Sequence, residues 1–134
     1  MNKRIIFVSG HFDVIHIGHL KLLEFAKSKG DLLYVAMPSD YRITQEKGIK
    51  RPYNNWETRC EIMKAIRWVD KVVMFDTDYQ LERLIEKYKP LLLVFGKDEE
   101  GKKVIGKNFS KGVEYFPVYD GLSSTSIIKK INMN

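Results

Sequence analysis

The sequence predicts a small doubly wound α/β domain, a five-stranded parallel sheet with helices on both faces. Three observations predict it. Short, almost solidly apolar runs alternate with longer segments whose apolar residues recur at three- and four-residue steps, the pattern of strands covered on both faces by crossover helices. At 134 residues the chain suits one domain, residues 1–134. Polar or glycine-bearing segments follow the first, fourth and fifth runs, which is the edge where open parallel sheets of this Rossmann-like kind bind ligands.

Each element has a local reason. Arg4 to Ser9 is a β-branched apolar run closed by Gly10. From about His19 to Lys29, Leu20, Leu22, Leu23, Phe25 and Ala26 mark a helix face that Gly30 stops. Leu32 to Met37 is the second strand, ended by Pro38, which lacks the N–H a ladder needs. Ser39 to Asn55 mixes charge with breakers and reads as an ordered loop. Asn54, with Glu57 three residues on, opens a helix whose apolar face is Ile62, Met63, Ala65 and Ile66. Lys71 to Phe75 is the third strand, and Asp78 caps a helix carrying Leu81, Leu84 and Ile85 that ends before Pro90. Leu91 to Phe95 is the most apolar run and a central strand. Val113 to Phe116 is a weaker fifth strand, and Ser124 to Ile131 a closing helix with Ile127, Ile128 and Ile131 at helical spacing.

Composition narrows the function classes. Apolar residues make up 44% and charged residues 30%, which excludes disorder and collagen-like repetition, and no internal repeat points to a solenoid or propeller. Lys plus Arg number 23 against 17 Asp plus Glu, a formal charge of +6, so the surface draws anions. Cys60 is the one cysteine, which excludes an internal disulfide and a cysteine-rich zinc site. The run before Gly10 is too short for a secretory signal, and no run approaches the ~18 apolar residues of a membrane span. The expectation is a soluble, cytoplasmic protein without membrane contact.

The chemistry concentrates after the first strand. Gly10-His11-Phe12-Asp13-Val14-Ile15-His16-Ile17-Gly18-His19 places two imidazoles three positions apart at a helix N-terminus, whose free N–H groups and positive dipole end favour an anion. His16 and His19 then point donors at one anion, while Gly18 lets a phosphate approach the backbone. Helix capping and a structural role remain open for the pair. A metal site lacks a third or fourth ligand, and a hydrolytic His-Ser dyad lacks the G-x-S-x-G elbow.

The string Gly10-x-Phe12-Asp13-x-x-His16-x-Gly18-His19 resembles the motif of the cytidylyltransferase-like nucleotidyltransferases. Residues 16–19 also spell the HIGH sequence of class I aminoacyl-tRNA synthetases, which need far more chain and a second lysine-bearing loop. Lys47-Gly48-Ile49-Lys50-Arg51-Pro52 leading to Glu57-x-Arg59, Val94-Phe95-Gly96-x-Asp98, and Gly121-Leu122-Ser123-Ser124-Thr125-Ser126-Ile127-Ile128 extend the resemblance over nearly the whole chain. Together they are similar to glycerol-3-phosphate cytidylyltransferases and, towards the C-terminus, to heptose-1-phosphate adenylyltransferase domains.

The resemblance implies transfer of a nucleoside monophosphate from ATP or CTP to a phosphorylated sugar or polyol, with release of pyrophosphate. It implies His16 and His19 on the triphosphate and the transition state, and Lys47 as a loop cation, with Lys50 its closest rival. Arg59 is implied to reach phosphate or substrate, a helix-surface ion pair being the other reading. Gly10, His11, Phe12, Asp13, Gly18, Gly96 and Asp98 would line the nucleotide. Ser123, Ser124 and Thr125 would hold phosphate oxygens, N-capping being compatible with that role. Mg²⁺ would arrive with the triphosphate, held mostly by phosphate and water. A homodimer is common among relatives, and Trp68, Val69 and the helix near residue 60 offer apolar surface for one.

Departures sort the branches. His11 stands where relatives have Thr, Ser or Tyr. Val118-Tyr119-Asp120-Gly121 replaces the Arg-Thr-Glu-Gly of glycerol-phosphate enzymes, which weakens that assignment, while the loop at 47–52 and the ending from Asp120 to Ile128 favour the heptose-like branch, a sugar 1-phosphate and ATP. Val14 replaces the proline of pantetheine-phosphate and NMN adenylyltransferases. Two other classes stay open. One is a nucleotide-binding regulator without turnover. The other is a basic nucleic-acid-binding domain, against which stand the dispersed charge and the absence of RRM, KH or helix-turn-helix patterns.

Overall fold

In the computed structural model, which describes residues 2–117, the apolar runs become β1 (Ile5–Ser9), β2 (Leu32–Pro38), β3 (Lys71–Phe75), β4 (Leu92–Gly96) and β5 (Val113–Phe116). They form one parallel sheet in the order β3-β2-β1-β4-β5. Strand order reverses between β1 and β4, where Val8 is in register with Val94. The helices among the described residues are α1 (Ile17–Ser28), α2 (Asp40–Lys47), α3 (Trp56–Lys64) and α4 (Asp78–Tyr88).

Strand alternation divides the core into two layers. Ile6, Val8, Leu33, Val35, Met37 and Val94 meet Leu23 and Ala26 of α1 and Met63 of α3 on one side. Phe7, Ala36, Phe75 and Leu93 meet Leu81 and Ile85 of α4 on the other. With neighbouring residues feeding opposite cores, neither strand face can be polar, and each fully buried Leu, Ile or Phe contributes about 1.5–3 kcal/mol. The five-stranded doubly wound prediction holds. No helix among the described residues is long and apolar enough to cross a membrane.

The differences have local causes. The segment expected as loop over 39–55 contains α2, capped by the Ser39 hydroxyl, which accepts from Arg42 N–H. Its one buried side chain is Ile43, too little for an apolar period. The cap of α3 is Asn55 rather than Asn54, and that of α4 is Thr77 rather than Asp78. Ile62, expected on the apolar face of α3, is exposed, whereas Arg59 is buried. Trp68 and Val69 pack partly buried against the first core, and the exposed apolar side chains nearby are Ile62 and Met74. The closing helix expected over 124–131 lies outside the described residues.

Candidate active site

The turn after β1 is held by tight contacts. Gly10 N–H donates to Ala36 O at 3.1 Å, extending the β1–β2 pairing by one bond. The Phe12 ring folds back over Gly10 so closely that a Cβ there would lie 3.0 Å from it, and Phe12 itself takes the left-handed backbone at φ 48°. Phe12 is buried and meets the His19 ring edge-on, with centroids 5.3 Å apart.

His16 and His19 cap α1 reciprocally. Gly18 N–H donates to His16 Nδ1 at 3.0 Å, and His16 N–H donates to His19 Nδ1 at 3.2 Å. Imidazoles thus replace the hydroxyl and carboxylate of an ordinary capping box. An Nδ1 that accepts carries no proton, so each neutral ring bears its hydrogen on Nε2. The ring centroids are 4.0 Å apart. Burial lowers the His16 pKa, and burial together with the neighbouring His16 lowers that of His19 to about 4. Both rings are therefore neutral at pH 7 and serve as Nε2–H donors. His16 Nε2 is buried with no hydrogen-bond partner among the described residues. No acidic side chain in the first turn offsets the positive end of α1.

Other motif residues turn inward and brace this turn. The Asp13 carboxylate is buried and accepts from Arg51 Nε at 3.1 Å, Tyr53 N–H at 2.8 Å and Asn54 N–H at 2.7 Å. The Arg59 guanidinium, with no exposed surface, donates to Asn54 O at 3.1 Å, His11 O at 3.3 Å and Asp40 Oδ1 at 2.8 Å. Its fork thus ties the motif turn to α2 and to the entry of α3. His11 Nε2 lies 3.1 Å from Glu46 Oε2, and because a carboxylate only accepts, that nitrogen carries the hydrogen. Burial lowers the His11 pKa against the opposing pull of Glu46. Sequence reading placed Asp13 and His11 in the nucleotide site without their partners. The partners lie 35 to 41 positions away, and no local signal names them.

The remaining candidates surround the turn unevenly. Lys47 ends α2 close enough to depress His11, and it is exposed without an ion pair among the described residues, as is Lys50. Gly10 and Gly96 each lie two residues beyond the Val8–Val94 pair, so the turn after β4 is brought beside the motif turn. Asp98 folds back over Gly96, with Oδ1 2.7 Å from where a Cβ would stand, and has no ion pair among the described residues. No cluster of three potential metal ligands occurs among the described residues. One free carboxylate fits a cation whose other ligands are phosphate and water. Ser123, Ser124 and Thr125 lie outside the described residues.

Comparison with known proteins follows the same lines. A family model described as cytidylyltransferase-like matches residues 7–130. The bifunctional protein HldE of Sulfurimonas denitrificans is 44% identical over 129 residues, 96% of this chain and 27% of its own length. That of Aliarcobacter butzleri is 40% identical over 136 residues, 100% of this chain and 28% of its own. The chain therefore spans little more than a quarter of these relatives. Among solved structures, a lipopolysaccharide core biosynthesis protein from Thermoplasma volcanium superposes with a TM-score of 0.73 at 22% identity, covering 89% of this chain and all of that one. A pantoate-beta-alanine ligase from Francisella tularensis gives 0.63 at 16% identity, covering 98% of this chain and 71% of its own. These two likenesses show the fold.

Proposed function

The chain belongs to the cytidylyltransferase-like family of nucleotidyltransferases, and on that premise we propose that it transfers AMP from ATP to a sugar 1-phosphate, releasing pyrophosphate, in making a precursor of a cell-surface polysaccharide. The observation that carries the reading is the His16–His19 pair, two neutral Nε2–H donors at the uncompensated positive end of α1. The unpartnered His16 Nε2 calls for an acceptor such as a phosphate oxygen. The relatives named HldE, 40 and 44% identical to this chain, support the heptose-like branch of the resemblance.

The acceptor's phosphate monoester, with a second pKa near ~6, is largely dianionic at neutral pH and needs no general base. Its oxygen forms a bond to the α-phosphorus as the bond from that phosphorus to the bridging oxygen breaks, and pyrophosphate departs with the electron pair. The imidazoles hold the α-phosphate in line and donate to oxygens that gain charge, without giving up a proton. Lys47 at the end of α2, rather than in a loop as expected, or Lys50 just beyond it, supplies a full positive charge. Ser123, Ser124 and Thr125, which lie outside the described residues, add hydroxyls to phosphate oxygens as the resemblance implies. Asp98 would help to hold Mg²⁺ carried in by the triphosphate, and the ion would supply neutralisation of phosphate charge. Asp13 and Arg59 position the turn.

Pyrophosphate release tests the proposal, with Mg²⁺ and each of ATP, CTP, GTP and UTP against heptose 1-phosphate, mannose 1-phosphate and glycerol 3-phosphate. Turnover with ATP and a sugar 1-phosphate is expected. Nucleotide binding without pyrophosphate from any pair would turn the reading towards a regulator.

A further inference from the structure

We propose that the cavity of about 340 Å³ between α4 and residues 103–109 is the acceptor pocket, and that it takes the phosphorylated sugar. Its polar lining comprises Asp78, Tyr79, Glu82, Lys103, Lys107 and Asn108. The ion pairs along the lining point to the ligand. Asp78 pairs with Arg42 at 2.5 Å and Glu82 with Arg83 at 2.9 Å, each guanidinium being shared with a second carboxylate, Glu46 and Glu86 respectively. Lys97 and Lys102, on the same stretch, pair with Glu100 and Glu99 at 3.0 and 3.3 Å. Lys103 and Lys107 have no such partner among the described residues, which leaves two unspent ammonium groups on one concave surface. That matches the dianion of a phosphate monoester. The Asn108 amide and the exposed Tyr79 phenol offer a hydroxyl-rich body donors, acceptors and a ring face. The volume lies at the lower end of the range for small-molecule sites, the size of one sugar phosphate.

Position supports the same ligand. One wall begins at Asp78, three residues after β3 ends at Phe75, and the other belongs to the segment leaving β4. A continuous chain of side chains joins that wall to the motif turn. Asp78 accepts from Arg42, Arg42 donates to Glu46, and Glu46 accepts from His11 at 3.1 Å. His11 is thereby wired to the cavity wall.

The word acceptor rests on the transferase reading, whereas binding of a sugar phosphate in this cavity does not. Amide chemical shifts of the full chain are followed while heptose 1-phosphate, mannose 1-phosphate or inorganic phosphate is added, and pyrophosphate release is measured in parallel. Tyr79 and Asn108 are expected to shift with the sugar phosphates. The double variant Lys103→Gln with Lys107→Gln is expected to weaken that binding at least tenfold and to raise the acceptor KM alike, with ATP affinity and kcat within twofold of the parent. Sugar-phosphate shifts confined to residues 10–19, or unchanged affinity in the double variant, would overturn the site. Inorganic phosphate binding as tightly as the sugar phosphates would overturn the sugar. Binding in the cavity without turnover from any pair would strike the transferase reading and leave the site standing.

Discussion

His16 caps α1 through Nδ1, and in the proposed site its Nε2 donates to phosphate, so two substitutions separate the two roles. Asparagine places an oxygen near the Nδ1 position and is among the best N-caps, whereas alanine removes both functions. His16→Asn is expected to stay within about 0.5 kcal/mol of the parent in urea unfolding, and His16→Ala to lose about 1 kcal/mol. Both are expected to lose at least ~100-fold in turnover, the scale of a missing transition-state donor. Turnover surviving in the asparagine variant would reduce the pair to caps. His19 carries a pH signature. Its folded pKa of about 4 lies below the ordinary 6.5, so as pH falls the unfolded chain takes up the proton first. The stability that this provides is complete above pH 6.5 and drains away towards pH 4, and the lowered His11 and His16 act in the same direction. Urea midpoints at pH 7, 5.5 and 4.5 are expected to decline, and His19→Gln to flatten the decline.

Among the elements, α2 and the segment from Arg51 to Asn54 are attached chiefly through buried charge. Replacing Arg59 by Met removes the donor to the carbonyls of His11 and Asn54 and breaks the ion pair to the partly exposed Asp40. A loss of about 3 kcal/mol in urea unfolding is expected. Arg59→Lys is expected to recover little, since one ammonium group lacks the planar fork. These attachments also explain what the sequence could and could not disclose. The strands were legible because burial on both faces leaves continuous runs such as Leu91 to Phe95. Gly10, His16, Gly18 and His19 were legible because their spacing is local. The helix α2 was hidden by having Ile43 alone buried, although Ser39 as cap, Asp40 in the first turn and Lys47 in the last were there to be read. The pairing of Asp13 with Arg51 and the burial of Arg59 were illegible, because which distant charges meet is decided by the sheet order.

For the molecule as a whole, that order assembles the proposed site. Placing β4 beside β1 lets the turn at Gly96 and Asp98 share an edge with the histidine turn, although some 80 residues separate them in the chain. A formal charge of +6 adds attraction at longer range. Affinity for ATP is expected to weaken as NaCl rises from 50 to 300 mM, and saturation at ~100 times Kd to stabilise the fold by about 2.7 kcal/mol, read as a rise in Tm. The most direct measurement is the ¹⁵N spectrum of the histidine rings at pH 7, with and without ATP and Mg²⁺. Hydrogen on Nε2 of both His16 and His19, with both resonances displaced by the nucleotide, is the expected result. Hydrogen on Nδ1, or rings indifferent to every nucleoside triphosphate, would contradict the phosphate cradle.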